Sequence, residues 1–205
     1  MHPVLPEMYS KLPNLVFGFH GCDESTKVNV LHKNKHLNKS TNEWDWLGHG
    51  VYFWENNLER AYQWADERAK RGDYDKPSVI GAIIDLGHCM NLTDNAYVPF
   101  LDFGFKAVKA RAKSESKEIP KNKGGNDSLM RFLDCAVIQQ IHDFNSKKNP
   151  ECEFDSVRGI FIEGKEAYPG SGFREKTHVQ ICIRNLNCIK GYFNPLEYDP
   201  SYRVP

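Results

Sequence analysis

Two short stretches carry most of the side chains of chemical interest. FHGC (Phe19 to Cys22) sets an imidazole, a glycine and a thiol at the end of a Val- and Phe-rich run. LGHGVYFWENNLERAYQWA (Leu47 to Ala65) joins a glycine pair to three consecutive aromatics, Tyr52, Phe53 and Trp54, and continues into a helical pattern. Taken singly, neither fixes a chemistry. A histidine beside a glycine after a strand serves a turn as readily as a site. GHGVYF is too short for a phosphate-cradling loop, has no lysine, and precedes a strand where a dinucleotide fingerprint precedes a helix. His32 and His36 lie one helical turn apart with His20 and His49 nearby, but no carboxylate is placed as in a zinc-protease helix, so no metal is expected. The cysteines Cys22, Cys89, Cys135, Cys152, Cys182 and Cys188 form no CxxC pair, and those in LDCAVI and QICI read as small buried hydrophobes kept as reduced thiols.

The elements that must position these residues follow from periodicity and punctuation. NLVFGFHG (Asn14 to Gly21) reads as a buried strand running into a loop, and GVYFW as a second strand in which Tyr52 and Phe53 must point to opposite faces. Between them lies a polar, Lys- and Asn-rich connection to about Thr41. From Asn56 or Asn57, both good N-caps, apolar positions Leu58, Ala61, Tyr62, Ala65 and Ala69 recur at helical spacing until Gly72. SVIGAIIDLG (Ser78 to Gly87) has the β-branched density of a central strand. Residues 100 to 150 change character: a helix near Phe103 to Ala112, a Lys- and Ser-rich linker from Ser114 to Gly125 expected to be mobile, and an amphipathic helix from about Asp127 to Phe144. Three strand-like runs follow, VRGIFIEG (Val157 to Gly164), THVQICIRN (Thr177 to Asn185) and CIKGYF (Cys188 to Phe193), with the glycine-rich loop GKEAYPGSGFREK between the first two. Strands at both ends with helices between them predict an α+β domain spanning residues 1–205, interrupted by a helical insertion.

At 205 residues the chain suits a single domain, and 27 basic against 27 acidic side chains exclude a global pull on nucleic acid or membrane. With no apolar run of about 18 residues and no leader pattern, a cytoplasmic protein without membrane association is expected. One local feature runs against this neutrality: Lys106, Lys109, Arg111, Lys113, Lys117, Lys121 and Lys123 lie close together in the insertion.

In combination, HGC, then GHGVYFWENNLERAYQWA, then SVIGAIIDLG and finally HVQICIRN resemble the ADP-ribosyltransferases of the poly(ADP-ribose) polymerase and diphtheria-toxin branch. The resemblance covers residues 15 to 98 and 157 to 193 and leaves out the helical insertion. It implies an ADP-ribosyltransferase-like fold of split antiparallel and mixed β-sheets flanked by helices, with NAD as co-substrate. Carried over residue by residue, it implies that His20 hydrogen-bonds the adenosine ribose, Gly21 holds the nicotinamide amide through its backbone, and Tyr52 stacks on the nicotinamide ring, with Tyr62 the nearest candidate for a second aromatic wall. Three positions depart from the pattern. The serine after His-Gly is Cys22, the second tyrosine's strict position holds Gln63, and the catalytic glutamate is replaced by Gln180. Cleaving the ribose–nicotinamide bond builds an oxocarbenium-like cation that a carboxylate stabilises. A glutamine amide can orient a ribose hydroxyl but has no charge and takes no proton. Glu175 is therefore expected to serve catalysis or acceptor positioning, with Glu163 and Glu166 as other nearby carboxylates and Arg174 beside it to meet phosphates of NAD or of the acceptor.

The resemblance thus implies an NAD-dependent mono-ADP-ribosyltransferase of the bacterial toxin or phage-defence type, modifying a macromolecule, with nucleic acid, RNA included, favoured over protein through the basic run. An antitoxin or inhibitor protein would be its partner. Other readings are a catalytically inactive NAD- or ADP-ribose-binding module, an NAD glycohydrolase, and an RNA 2′-phosphotransferase, for which only Arg158, Arg174 and Arg184 are available near the site.

Overall fold

The computed structural model describes residues 15–33, 35–124, 130–148 and 150–203, so the start of the first expected strand and of the second insertion helix lie outside the described residues. Strand β1 (Val16–Asp23) leads directly into helix α1 (Glu24–His32), whose N-cap Asp23 accepts a hydrogen bond from the Ser25 amide. This helix replaces part of the expected polar connection. It buries only Val30, so its sequence shows no apolar stripe.

Strand β2 (Val51–Glu55) and helix α2 (Leu58–Lys70) follow the expected pattern. Asn57 caps α2 by accepting from the Arg60 amide at 2.9 Å, Ala61 and Ala65 are fully buried, and the chain leaves the helix through Gly72 at φ 81°. Strand β3 (Pro77–Ile84) is followed by a short strand, β4 (Cys89–Asn91), and by the insertion helices α3 (Val98–Ser114) and α4 (Phe132–Lys148). Helix α3 starts five residues before the expected position, because Pro99 fits its first turn, where no intrahelical amide is needed. Strands β5 (Ser156–Phe161), β6 (His178–Ile183) and β7 (Ile189–Phe193) complete an α+β fold.

The seven strands form one mixed sheet in the order β4-β5-β6-β2-β1-β3-β7, antiparallel except for the β4–β5 pair. Two halves, β4-β5-β6-β2 and β1-β3-β7, meet at a short seam where β1 and β2 pair only through Gly18–Glu55 and Phe19–Trp54. One face carries Val51, Phe53, Ile80, Ile84, Ile181 and Ile183 under α1 and the Leu37 segment. The other face is covered in two places, by α2 over Trp54 and Val79 and by α3 and α4 over Cys182 and Val157. Between them, Tyr52 on β2 and Gln180 on β6 are only partly buried, and this strip of the face is termed the trough. Among the described residues no helix is long and apolar enough to cross a membrane.

Candidate functional site

The seam between β1 and β2 is the first feature of the site. Because Asn56 N–H donates to the Phe17 carbonyl, hydrogen-bonded pairs in this ladder fall at Phe17–Asn56 and Phe19–Trp54, and the next would be Gly21–Tyr52. That pair is missing from the register. The Tyr52 carbonyl instead lies 2.7 Å from His20 Nδ1, which must carry the proton it donates there. Burial lowers the His20 pKa, so the ring is neutral at pH 7 and its Nε2 is a lone-pair acceptor. Gly21 keeps an N–H and a C=O directed toward β2 but outside the ladder. Its Cα is also where α2 comes closest, since a Cβ there would lie 2.4 Å from the Ala61 carbonyl oxygen and 3.2 Å from the Trp64 ring.

Register then sorts the remaining residues by face. Tyr52 lies opposite Cys182, and Trp54 opposite Gln180, so these four share the trough face. His20 stands against Phe53, at 5.9 Å between ring centroids, on the other side of β1 and β2. The structure therefore does not bring His20 and Gln180 onto one face; His20 reaches the site through the seam. The Tyr52 hydroxyl donates to the Gly48 carbonyl at 2.6 Å and accepts from the Leu47 amide at 2.8 Å, and burial raises its pKa well above the usual tyrosine range. Gly48, at φ 77°, makes the tight loop that brings those groups back to the ring. Gln180 is partly buried and has no side-chain hydrogen bond among the described residues.

At the end of the trough, four residues form a buried polar cluster. Glu163 is 5% exposed, and its Oε2 lies 3.5 Å from Arg60 Nη2 and 3.5 Å from His178 Nδ1. The Arg60 guanidinium sits 5.7 Å from the centroid of the Trp54 ring, which is itself 6.3 Å from that of His178. His178 Nδ1 is 2.6 Å from the Lys176 carbonyl and donates to it, leaving Nε2 as an acceptor. Trp54 Nε1, Arg60 Nε and Nη1 and His178 Nε2 are all buried without a hydrogen-bond partner. Orphaned donors and acceptors of this kind are uncommon in native proteins and concentrate where function requires them. Three of these atoms are donors and one is an acceptor, and the nearest carboxylate to Arg60 Nη1 is that of Glu67 at 3.9 Å.

The expected carboxylate Glu175 lies elsewhere. Residues 163 to 176 fold as a hairpin held by Lys176 N–H to Glu163 O, Glu175 N–H to Lys165 O and Ala167 N–H to Phe173 O, at 3.1, 3.0 and 3.0 Å. Glu175 is exposed on it, and Arg174 pairs with Glu166 at 3.8 Å in solvent. Cys22 is 2% exposed in the core on the face of Phe53, its thiol pushed up to about 11 by burial, and presents no group to the trough. Tyr62 is 43% exposed, and the aromatic that α2 turns toward Gly21 is Trp64. The arginines that an RNA phosphate site would need do not cluster. Arg158 is held bidentately by Glu55 at 2.5 and 2.9 Å, Arg184 donates to the Phe154 carbonyl, and Arg174 is on the hairpin. Among the described residues, no three His, Cys, Asp or Glu side chains are grouped as a metal ion requires.

Trp54, Arg60, Glu163 and His178 were not picked out together by sequence reasoning. Their one signal is the placement of Glu163 two residues past the end of β5 and of His178 at the facing start of β6. No known protein family, curated protein or solved structure matches the chain.

Proposed function

We propose that the chain is an NAD-dependent mono-ADP-ribosyltransferase that modifies a macromolecule, with nucleic acid as the favoured acceptor. The observation that carries this reading is the interrupted seam. An N–H and a C=O of one glycine, side by side and outside the ladder, complement the C=O and NH2 of a carboxamide such as that of nicotinamide. The neutral His20 beside them offers Nε2 to a ribose hydroxyl, and the Tyr52 ring, fixed by two hydrogen bonds at its far end, provides a wall.

In this reading, the C1′–N bond of the nicotinamide ribose breaks and nicotinamide leaves with the bonding electron pair. An acceptor heteroatom attacks C1′ and loses its proton to solvent or to a basic group. Gln180 orients a ribose hydroxyl, while the negative charge comes from Glu163, the buried carboxylate on the same face. The exposed hairpin, with Tyr168 and Phe173 at 59% and 74% exposure, fits a segment that meets the acceptor. A role as a toxin or phage-defence effector restrained by an antitoxin belongs to the same proposal.

Gln180 also supports a second reading, an NAD- or ADP-ribose-binding module without catalysis, because an uncharged amide gives no help to an oxocarbenium ion. Incubation with NAD separates the two. Nicotinamide release that is lost in His20→Ala and Tyr52→Ala supports the enzyme, and binding without release supports the module.

A further inference from the structure

We propose that the cavity between the helical insertion and β5 holds a nucleobase of the acceptor strand; the acceptor role rests on the ADP-ribose-transfer reading, the base-binding role does not. The cavity has a volume of about 470 Å³, in the range of small-ligand sites. It is walled by Trp46 and Phe161 on the sheet side and by Leu101, Phe105 and Leu133 on the insertion side. Gly159 forms part of its floor, and Gly159 is the register partner of Gln180. Directly opposed residues share a face, so the cavity opens beside the position where transfer would occur.

Its chemistry fits a flat heteroaromatic ring attached to phosphate. The Arg131 guanidinium stands 4.5 Å from the Trp46 ring centroid and 5.5 Å from that of Phe161, and Trp46 and Phe161 are themselves 4.4 Å apart. Asp134 fixes Arg131 at 3.2 Å, which keeps the planar group in place beside the rings. Aromatic and guanidinium planes are the surfaces on which unpaired bases stack, and they tolerate any base identity. Thr93 and Asp134 add hydrogen-bonding groups for a base edge. Two exposed lysines stand beside residues at or next in sequence to the insertion-side wall. Lys109 lies over Phe105 at 5.6 Å and Lys123 over Phe132 at 5.5 Å, both are exposed, and neither forms an ion pair among the described residues. Such lysines suit backbone phosphates on either side of a buried base.

The test uses the full chain and a fluorescein-labelled single-stranded RNA hexamer, with binding read by anisotropy in the absence of NAD. Trp46→Ala removes a wall and Leu101→Trp fills the space, and each is expected to weaken binding about tenfold or more. With NAD present, the ratio of ADP-ribose on RNA to nicotinamide released should fall in both. A second measurement needs no variant: ultraviolet cross-linking of a 5-bromouridine hexamer to the unaltered protein should map to Trp46, Phe105 or Phe161. Unchanged RNA affinity in variants that melt like the parent, or cross-links mapping only elsewhere, would overturn the proposal. Transfer of ADP-ribose to protein alone would do so as well. If NAD is never cleaved while RNA binding still depends on the cavity, the transferase reading fails and the base site stands.

Discussion

Lowering the pH from 7 to 5 should cost the folded protein about 4 kcal/mol through His142 and His178 alone, with His20, also kept neutral by burial, adding to the loss. His142, on α4, is 2% exposed, and neither ring nitrogen has a partner. Burial, with Arg184 and His49 adding to it, pushes its pKa down to about 3. His178 is 4% exposed, and burial lowers it to about 4 against the opposing pull of the Lys176 carbonyl. In the unfolded chain each would titrate near 6.5. Both folded values are depressed, so between pH 6.5 and 4 the unfolded state binds protons that the native state refuses, and stability is lost as the pH falls. Each histidine contributes about 2 kcal/mol of that loss by pH 5. Asp23 and Glu115, held down to about 2 by their hydrogen-bond donors, act only at lower pH. Urea unfolding at pH 7, 6 and 5 measures the loss. His142→Leu removes one titrating group and two orphaned nitrogens, so at pH 7 it should match or exceed the parent in stability. Its loss on going to pH 5 should be smaller than the parent's by about 2 kcal/mol. Equal losses in parent and variant would refute the assignment of the acid sensitivity to His142.

Two further outcomes follow from the seam and from α2. Gly21→Ala places a methyl group 2.4 Å from the Ala61 carbonyl oxygen, so α2 must move off the sheet; a destabilisation of about 1–3 kcal/mol is expected by thermal melting, with NAD binding weakened at the same time. Asn57→Ala deletes the cap on the Arg60 amide and should cost about 1 kcal/mol in urea unfolding while leaving the seam intact.

What the sequence made legible depended on how much signal each element carries on its own. Helix α2 has a cap, a period and a stop within one short stretch, and β1, β2, β3, β5 and β6 are dense in β-branched and aromatic residues, so each could be read locally. Helix α1 could not, because it packs on the sheet through Val30 and Leu31 while Val28 is exposed, so its apolar residues trace no clear stripe; its clearest signal is the capping Asp23. Strand β4 is three residues long and gains its identity from pairing with β5. The site divides in the same way. His20, Gly21 and Tyr52 lie in two compact motifs, and their juxtaposition at the seam follows from neighbouring strands. The cluster of Trp54, Arg60, Glu163 and His178 joins residues from opposite ends of the chain, and Arg60 and Glu163 look in sequence like exposed charges until register and helix packing bury them. Glu175 illustrates the reverse case: sequence proximity to the motif strand suggested a site residue, but the hairpin turns it into solvent.

The central claim, cleavage of NAD at the seam, is tested most directly by nicotinamide release. Purified protein with NAD, followed by chromatography of the products, should release nicotinamide. His20→Ala should reduce the rate about tenfold to a hundredfold through the lost hydrogen bond to the ribose, measured at a temperature where the variant is still folded, since loss of the bond to the Tyr52 carbonyl also lowers its melting temperature. A protein that neither binds NAD by calorimetry nor releases nicotinamide, or one whose His20→Ala variant turns over as fast as the parent, would contradict the account.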